Sequence, residues 1–167
     1  MRVEAVEKIV KRAGRAGEPS SDAGSSLAIK SFLTAMDSDD SLLGATLGGP
    51  STEGSEGVRA YAVDIALRFR RPELARDRQL YFLLSEKLIE LLRNAGSGES
   101  LEAKLALTST DQANASAGEH ELWLQLTATG DTAEQATLRW GLGLAHVQQA
   151  LLFTSRYLRQ YLAQKGM

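Results

Sequence analysis

Cysteine is absent from these 167 residues. That excludes a disulfide framework and thiolate metal sites, and allows a cytosolic setting without requiring one. Histidine is scarce, with His120 and His146 the only two. No sign of charge dominates: Lys and Arg number 19, Asp and Glu 21, and the formal net charge is -2. A dedicated DNA- or RNA-binding domain needs a strong basic footprint, so none is expected. Long hydrophobic runs are missing too. The richest stretch, "WGLGLAHVQQALLF", is interrupted by His146, Gln148 and Gln149. It falls short of the ~20 apolar residues that a membrane span needs. The opening "MRVEAVEKIVKRAG" has no apolar core of the secretory kind, so no signal peptide is expected. G-x-S-x-G, H-E-x-x-H and Walker patterns do not occur.

What is present is an ordinary globular composition, 43% hydrophobic and 24% charged. A chain of this length suits one domain that buries about two-thirds of its unfolded surface. Three regions are expected. Residues 1–14 read as an amphipathic helix: Val3, Val6, Ile9 and Val10 form a narrow stripe, and Glu4–Lys8 and Glu7–Lys11 stand at i,i+4 in the favourable order. Residues 15–25, rich in Gly and Ser, read as a flexible linker. Residues 26–167 read as a single α+β domain with a long C-terminal helix.

Within that domain "SLAIKSFLTAMD" predicts a helix, with Ser25 or Ser26 as cap and Ile29, Phe32, Leu33 and Met36 on one face. The following "DSDDSLLGATLGGPSTEGSEG" reads mostly as loop. "VRAYAVDIALRFRR" alternates: Tyr61, Val63, Ile65, Leu67 and Phe69 point one way, and Ala60, Ala62, Asp64, Ala66, Arg68 and Arg70 the other. That is a strand with one face on a core. Pro72 ends it, and a helix is predicted from about Glu73 to Asn94, with Leu80, Leu84, Leu88 and Leu91 inward and Gly96 as its stop. Two strands follow, with Leu101, Ala103, Leu105 and Leu107 inward on the first and Leu122, Leu124, Leu126 and Ala128 on the second. The polar "TDQANASAG" joins them as a hairpin loop. Thr132 and Gln135 fit a capping box for the last helix, which reaches about Gln164. The fold class is therefore a small, mainly antiparallel sheet packed against helices.

No constellation asks for catalysis. His120 is flanked by Glu119 and Glu121, but alternation sends those carboxylates to the opposite face, so an exposed strand histidine is expected. His146 has no acidic neighbour at i±3 or i±4 and reads as a packing or solvent residue. "DSDD" at 37–40 lacks the glycine and glutamate of a calcium loop. "GLG" at 141–143 lacks the third glycine and the leading strand of a dinucleotide site. Neither a metal nor a cofactor is expected, and no catalytic residue is assigned.

Two features point to protein contacts instead. Arg68, Arg70, Arg71, Arg76 and Arg78 crowd one strand-to-helix corner, interleaved with Glu73 and Asp77 and without base-stacking aromatics. Arginine is the basic residue that interfaces favour. On the last helix Leu144, Val147, Leu151, Leu158 and Leu162 make a sustained stripe, and Trp140, Phe153, Tyr157 and Tyr161 widen it beyond what a small sheet covers. The expected interface is therefore Arg68, Arg70, Arg71, Arg76, Trp140, Phe153, Tyr157 and Tyr161.

The helix "LAIKSFLTAMD", a variable loop, the strand "YAVDIALRF", the helix "LYFLLSEKLIELL" and the pair "LEAKLAL" and "ELWLQLTAT" together resemble the tail-terminator or tail-completion proteins of tailed bacteriophages. The resemblance spans residues 26–129 and lies in the layout. It implies a non-enzymatic ring subunit, commonly one of six, that caps the tail tube and meets the head connector. It also implies a virion protein assembled in the host cytoplasm, with itself and other structural proteins as partners. No catalytic residues carry over. The N-terminal and long C-terminal helices are additions to that layout. A second class fits the same elements: a bacterial adaptor or secretion-chaperone-like dimer, cytoplasmic, that grips a protein partner.

Overall fold

The computed structural model describes residues 23–37, 42–48, 51–55, 58–94, 101–110 and 118–167. Its elements in chain order are α1 (Ala23–Met36), β1 (Leu43–Leu47), β2 (Ser51–Ser55), β3 (Val58–Phe69), α2 (Pro72–Ala75), α3 (Arg78–Asn94), β4 (Leu101–Thr110), β5 (Glu119–Gly130) and α4 (Ala133–Gln164). One antiparallel sheet runs β1-β3-β5-β4, with β2 also paired to β3, and helices pack on it. The protein is α+β. No helix of the described residues is long and apolar enough to cross a membrane.

The sheet is built around the two longest strands. β3 and β5 pair from Arg59–Gly130 to Leu67–Leu122. This register sets Val63, Ile65 and Leu67 beside Leu126, Leu124 and Leu122 on one face, all buried. β4 continues the face, with Leu105 opposite Leu124 and Leu107 opposite Leu122. The alternation in the sequence is what permits this, because residues two apart share a face.

The facing read for β3 needs one correction. Ala62, Asp64 and Ala66 are buried as well. Alanines are short, and Trp123 stands opposite Ala66 on β5 and opposite Ala106 on β4, so a half-buried indole lies between two alanines. Asp64 is only 7% exposed and accepts a hydrogen bond from Gln125 Nε2 at 3.0 Å. It is therefore not a solvated residue, and its replacement will not be silent.

The stretch read as loop holds two strands. β1 lies along residues 65–69 of β3 and β2 along residues 58–62, end to end, with Gly48 N–H donating to Asp64 O at 2.7 Å between them. Local signals there are Gly, Pro, Ser and Thr. The twelve residues of β3 offer a longer row of backbone partners than one short strand can use, and tertiary pairing overrides weak propensity. "STEGS" can be polar because β2 pairs only with β3 in the sheet.

Two helix boundaries also differ. α1 begins at Ala23, so Ser25 and Ser26 lie inside it rather than capping it. The expected helix over residues 1–14 and most of the 15–25 linker lie outside the described residues, as do Gly96 and most of the hairpin loop. The helix expected from Glu73 is divided. Asp77 accepts hydrogen bonds from the N–H of Gln79 and Leu80 at 2.9 and 3.3 Å, which starts α3 afresh. The capping box of α4 is present in shifted form: Thr132 Oγ1 accepts from Gln135 N, and Gln135 Oε1 accepts from Asp131 N.

α4 is a single unbroken helix of 32 residues. It packs on β3 and β5, with α1 against it on one flank and α3 on the other. Trp140, Leu144, Val147, Leu151, Leu158 and Leu162 face the core. The helix runs through Gly141 and Gly143 without a break. A Cβ on Gly141 would meet Ala28 Cβ at 3.8 Å, an ordinary contact. Gly130 is different: a Cβ there would stand 2.8 Å from the backbone N of Ala136 and 2.9 Å from Gln135 Cβ, where the chain folds from β5 into α4.

These two glycines give opposite expectations. Gly130→Ala must displace backbone and should cost about 1–3 kcal/mol. Gly141→Ala should be neutral or stabilise by up to about 1 kcal/mol, since a mid-helix glycine loses more entropy on folding. Urea denaturation of both variants checks this; equal destabilisation would contradict the packing described.

Candidate functional site

The arginine corner is the first candidate. Arg68 leaves β3 on the side away from the helices and meets Glu121 at 3.2 Å and Glu119 at 3.6 Å. Arg70 reaches back to α1, donating to Met36 O at 2.9 Å and to Asp37 Oδ1 at 3.1 Å. A guanidinium there satisfies a terminal helix carbonyl and complements the negative end of the helix dipole. Arg71 pairs with Glu73 at 2.6 Å. The backbone N–H at Glu73 and the Arg71 side chain hold the Glu73 carboxyl below its usual range. Arg78 lies over the Phe82 ring at 5.2 Å, and Arg76 is exposed.

Four of these five arginines thus have partners within the chain. Sequence reasoning took their density as a sign of an external partner. It missed Asp37, Glu119 and Glu121, which are distant in sequence and become neighbours only in the folded sheet. Beside the corner runs a groove of about 770 Å³, lined among others by Leu33, Met36, Thr46, Arg68 and Arg70. Its lining mixes both charge signs with apolar groups.

Behind the corner sits an aromatic stack. Phe69 and Tyr81 meet edge to face at 4.9 Å, and Tyr81 meets His120 at 5.9 Å. His120 is therefore half-buried on the helix-covered face and not an exposed strand residue. It shares that face with Leu122, as the alternation of β5 requires. Tyr81 Oη accepts the N–H of Phe69 at 3.2 Å. Burial pushes the Tyr81 phenol above its usual value of 10.0, opposed by that hydrogen bond. His146 is exposed on α4. Among the described residues no group of three His, Asp or Glu could hold a metal ion, and no buried side-chain polar atom lacks a hydrogen-bond partner.

The second candidate is α4. Trp140 is removed from the expected interface, since it is 0% exposed. Its Nε1 donates to Leu126 O at 3.2 Å, and its ring meets Tyr61 edge-on at 5.2 Å. It locks the helix to β5 and touches nothing outside. Tyr161 is half-buried under Lys165, whose Nζ stands 4.8 Å from the ring. Tyr157 is partly exposed and carries Lys87 of α3 at 5.1 Å. Phe153 does remain outside, at 62% exposure.

The outward crest of α4 holds residues that the sequence reading did not single out. Leu138 is 68% exposed and Leu142 61%, and Leu152 is also exposed. At about 100° per residue these positions, with Ala145 and Phe153, fall directly opposite the inward stripe. The signal was in the sequence as a second apolar line at helical spacing, masked by the stronger inner line. Comparisons with protein-family models, with curated proteins and with solved structures find no match to this chain.

Two expectations follow from the corner. Arg70→Ala should destabilise by about 1 kcal/mol and loosen the last turn of α1 in amide exchange, whereas Arg68→Ala should cost about 0–1 kcal/mol, as half-exposed pairs do. For Tyr81, the folded-state value lies above the unfolded one. Its contribution is fully present below pH ~10 and is lost as pH rises through the folded value. The wild type should lose stability on that alkaline limb, and Tyr81→Phe should flatten it while costing about 1–3 kcal/mol at neutral pH by orphaning Phe69 N–H. An unchanged alkaline limb in denaturation would contradict the assignment.

Proposed function

We propose that this protein is a non-enzymatic subunit of a protein assembly, working by contact with other protein surfaces and with further copies of itself. The observation that carries this reading is the crest of α4, where Leu138, Leu142 and Phe153 are each more than 60% exposed on one helix. Apolar groups lined up on one exposed face mark interaction sites. The ion pairs at the arginine corner support the same reading from the other side. They occupy Arg68, Arg70 and Arg71 within the chain, which favours a structural role for that corner over a nucleic-acid track.

Two assembled forms are consistent with it. A phage tail terminator that caps the tail tube as a ring of about six has the support of the layout: α1, the long β3, α3 and the β4–β5 pair follow in the order that resemblance implies. Such a ring needs two unlike surfaces that meet head to tail. The second form, an adaptor or secretion-chaperone-like dimer that grips a protein partner, needs one self-complementary surface. The crest of α4 is a single exposed apolar patch, which favours the two-fold form.

Light scattering on the full chain during size exclusion tests the reading. Twice the 18.0 kDa chain mass supports the dimer, and six times supports the ring. A monomer at tens of micromolar overturns the oligomeric reading. Phe153→Asp should weaken assembly by at least tenfold and leave thermal unfolding within a few degrees, because an exposed aromatic contributes little to the monomer's own core.

A further inference from the structure

We infer that the crest of α4 binds the same crest of a second copy as an antiparallel helix pair, an interface that rests on the homo-oligomeric reading above. The crest residues are Leu138, Leu142, Ala145, Gln149, Leu152 and Arg156. Their spacing alternates four and three residues, which is the seam spacing of paired helices. All except Ala145, Gln149 and Arg156 are exposed large hydrophobics, and those three are exposed as well.

The seam is self-complementary when reversed. Turning a second copy end for end places Leu142 beside the partner's Leu152, Ala145 beside its Gln149, and Leu138 along the aliphatic stem of its Arg156. Phe153 falls on the same side of the seam as Leu142 and meets it across the two-fold axis. Alanine at the centre lets the backbones approach, and Gln149 supplies one polar group that pins the register.

Charge decides the direction. Glu134 and Arg159 are both exposed, lie on the same side of the crest and stand near its two ends. In the antiparallel pair each Glu134 meets the partner's Arg159, twice by symmetry. A parallel two-fold pair would put the same flanks of the two helices on opposite sides of the seam, leaving Glu134 and Arg159 without an opposite charge. The antiparallel arrangement also opposes the two helix dipoles. The outward position of the crest makes this possible, since α1 and α3 flank α4 without covering Leu138, Leu142 or Phe153.

The absence of cysteine allows a clean test on the full chain. In the double variant Leu138→Cys, Arg156→Cys, the two thiols of different copies come into disulfide range. In Leu138→Cys alone they lie about 27 Å apart along the antiparallel pair, far beyond the ~7 Å limit. Mild oxidation should therefore give a covalent dimer on a non-reducing gel with the double variant only. Arg159→Glu should weaken the pair at least tenfold, and adding Glu134→Arg should restore it. An oligomer in solution without the 138–156 cross-link, or one in which Leu138→Cys cross-links by itself, overturns this interface and leaves the assembly reading standing. A wild-type monomer overturns both.

Discussion

Nine consecutive residue pairs join β3 to β5, from Arg59–Gly130 to Leu67–Leu122. Everything else is placed by that pairing. β1 and β2 pair only with the other edge of β3, and β4 only with the other edge of β5. α4 is tied to it twice: by Gly130, where β5 turns into the helix too closely for a side chain, and by Trp140, whose indole donates to Leu126 O. Slipping β3 by one residue against β5 would turn Ile65 outward and bring Asp64 into the core. The alternation of two strands more than fifty positions apart therefore specifies one arrangement.

Where a pattern repeated strongly, the sequence was readable. The inward sets of β3, β5, α3 and α4 were found because their apolar period is long and uninterrupted. β1 and β2 were missed because five-residue strands carry too little pattern of their own. Their existence is a property of β3, which has unfilled backbone groups along that edge. The division between α2 and α3 was missed because Asp77 acts as a cap only when the chain turns there, and the apolar line Leu80, Leu84, Leu88 and Leu91 lies wholly after the break and carries no sign of it.

The candidate surface was legible in part, for a different reason. Composition identifies arginines and aromatics; it does not say which are already satisfied. Arg70 finds the C-terminus of α1 and Arg68 finds two glutamates of β5, so a corner that looks basic in sequence is close to neutral in space. Trp140 and Phe153 differ by thirteen positions on one helix. At about 100° per residue that separation turns one inward and the other out. The sequence reading grouped them by residue type, whereas the helix separates them by angle.

That angular separation has an energetic consequence. The inner stripe of α4 shares its contacts with the sheet, and the outer crest shares none of them. Residues without common partners contribute nearly additively. The helix can therefore hold the monomer together through Leu144, Val147 and Leu151 while its crest changes independently. Opposed apolar faces on one helix would normally promote aggregation. Gln149 and Arg156 interrupt the crest, and Glu134 and Arg159 bound it. In the pair inferred above, polar groups at these points make open-ended association less favourable than one closed, two-fold contact, because the reversed alignment gives each charge an opposite neighbour. The same residues that keep the crest from being a uniform hydrophobic strip thus define the geometry in which it can be buried.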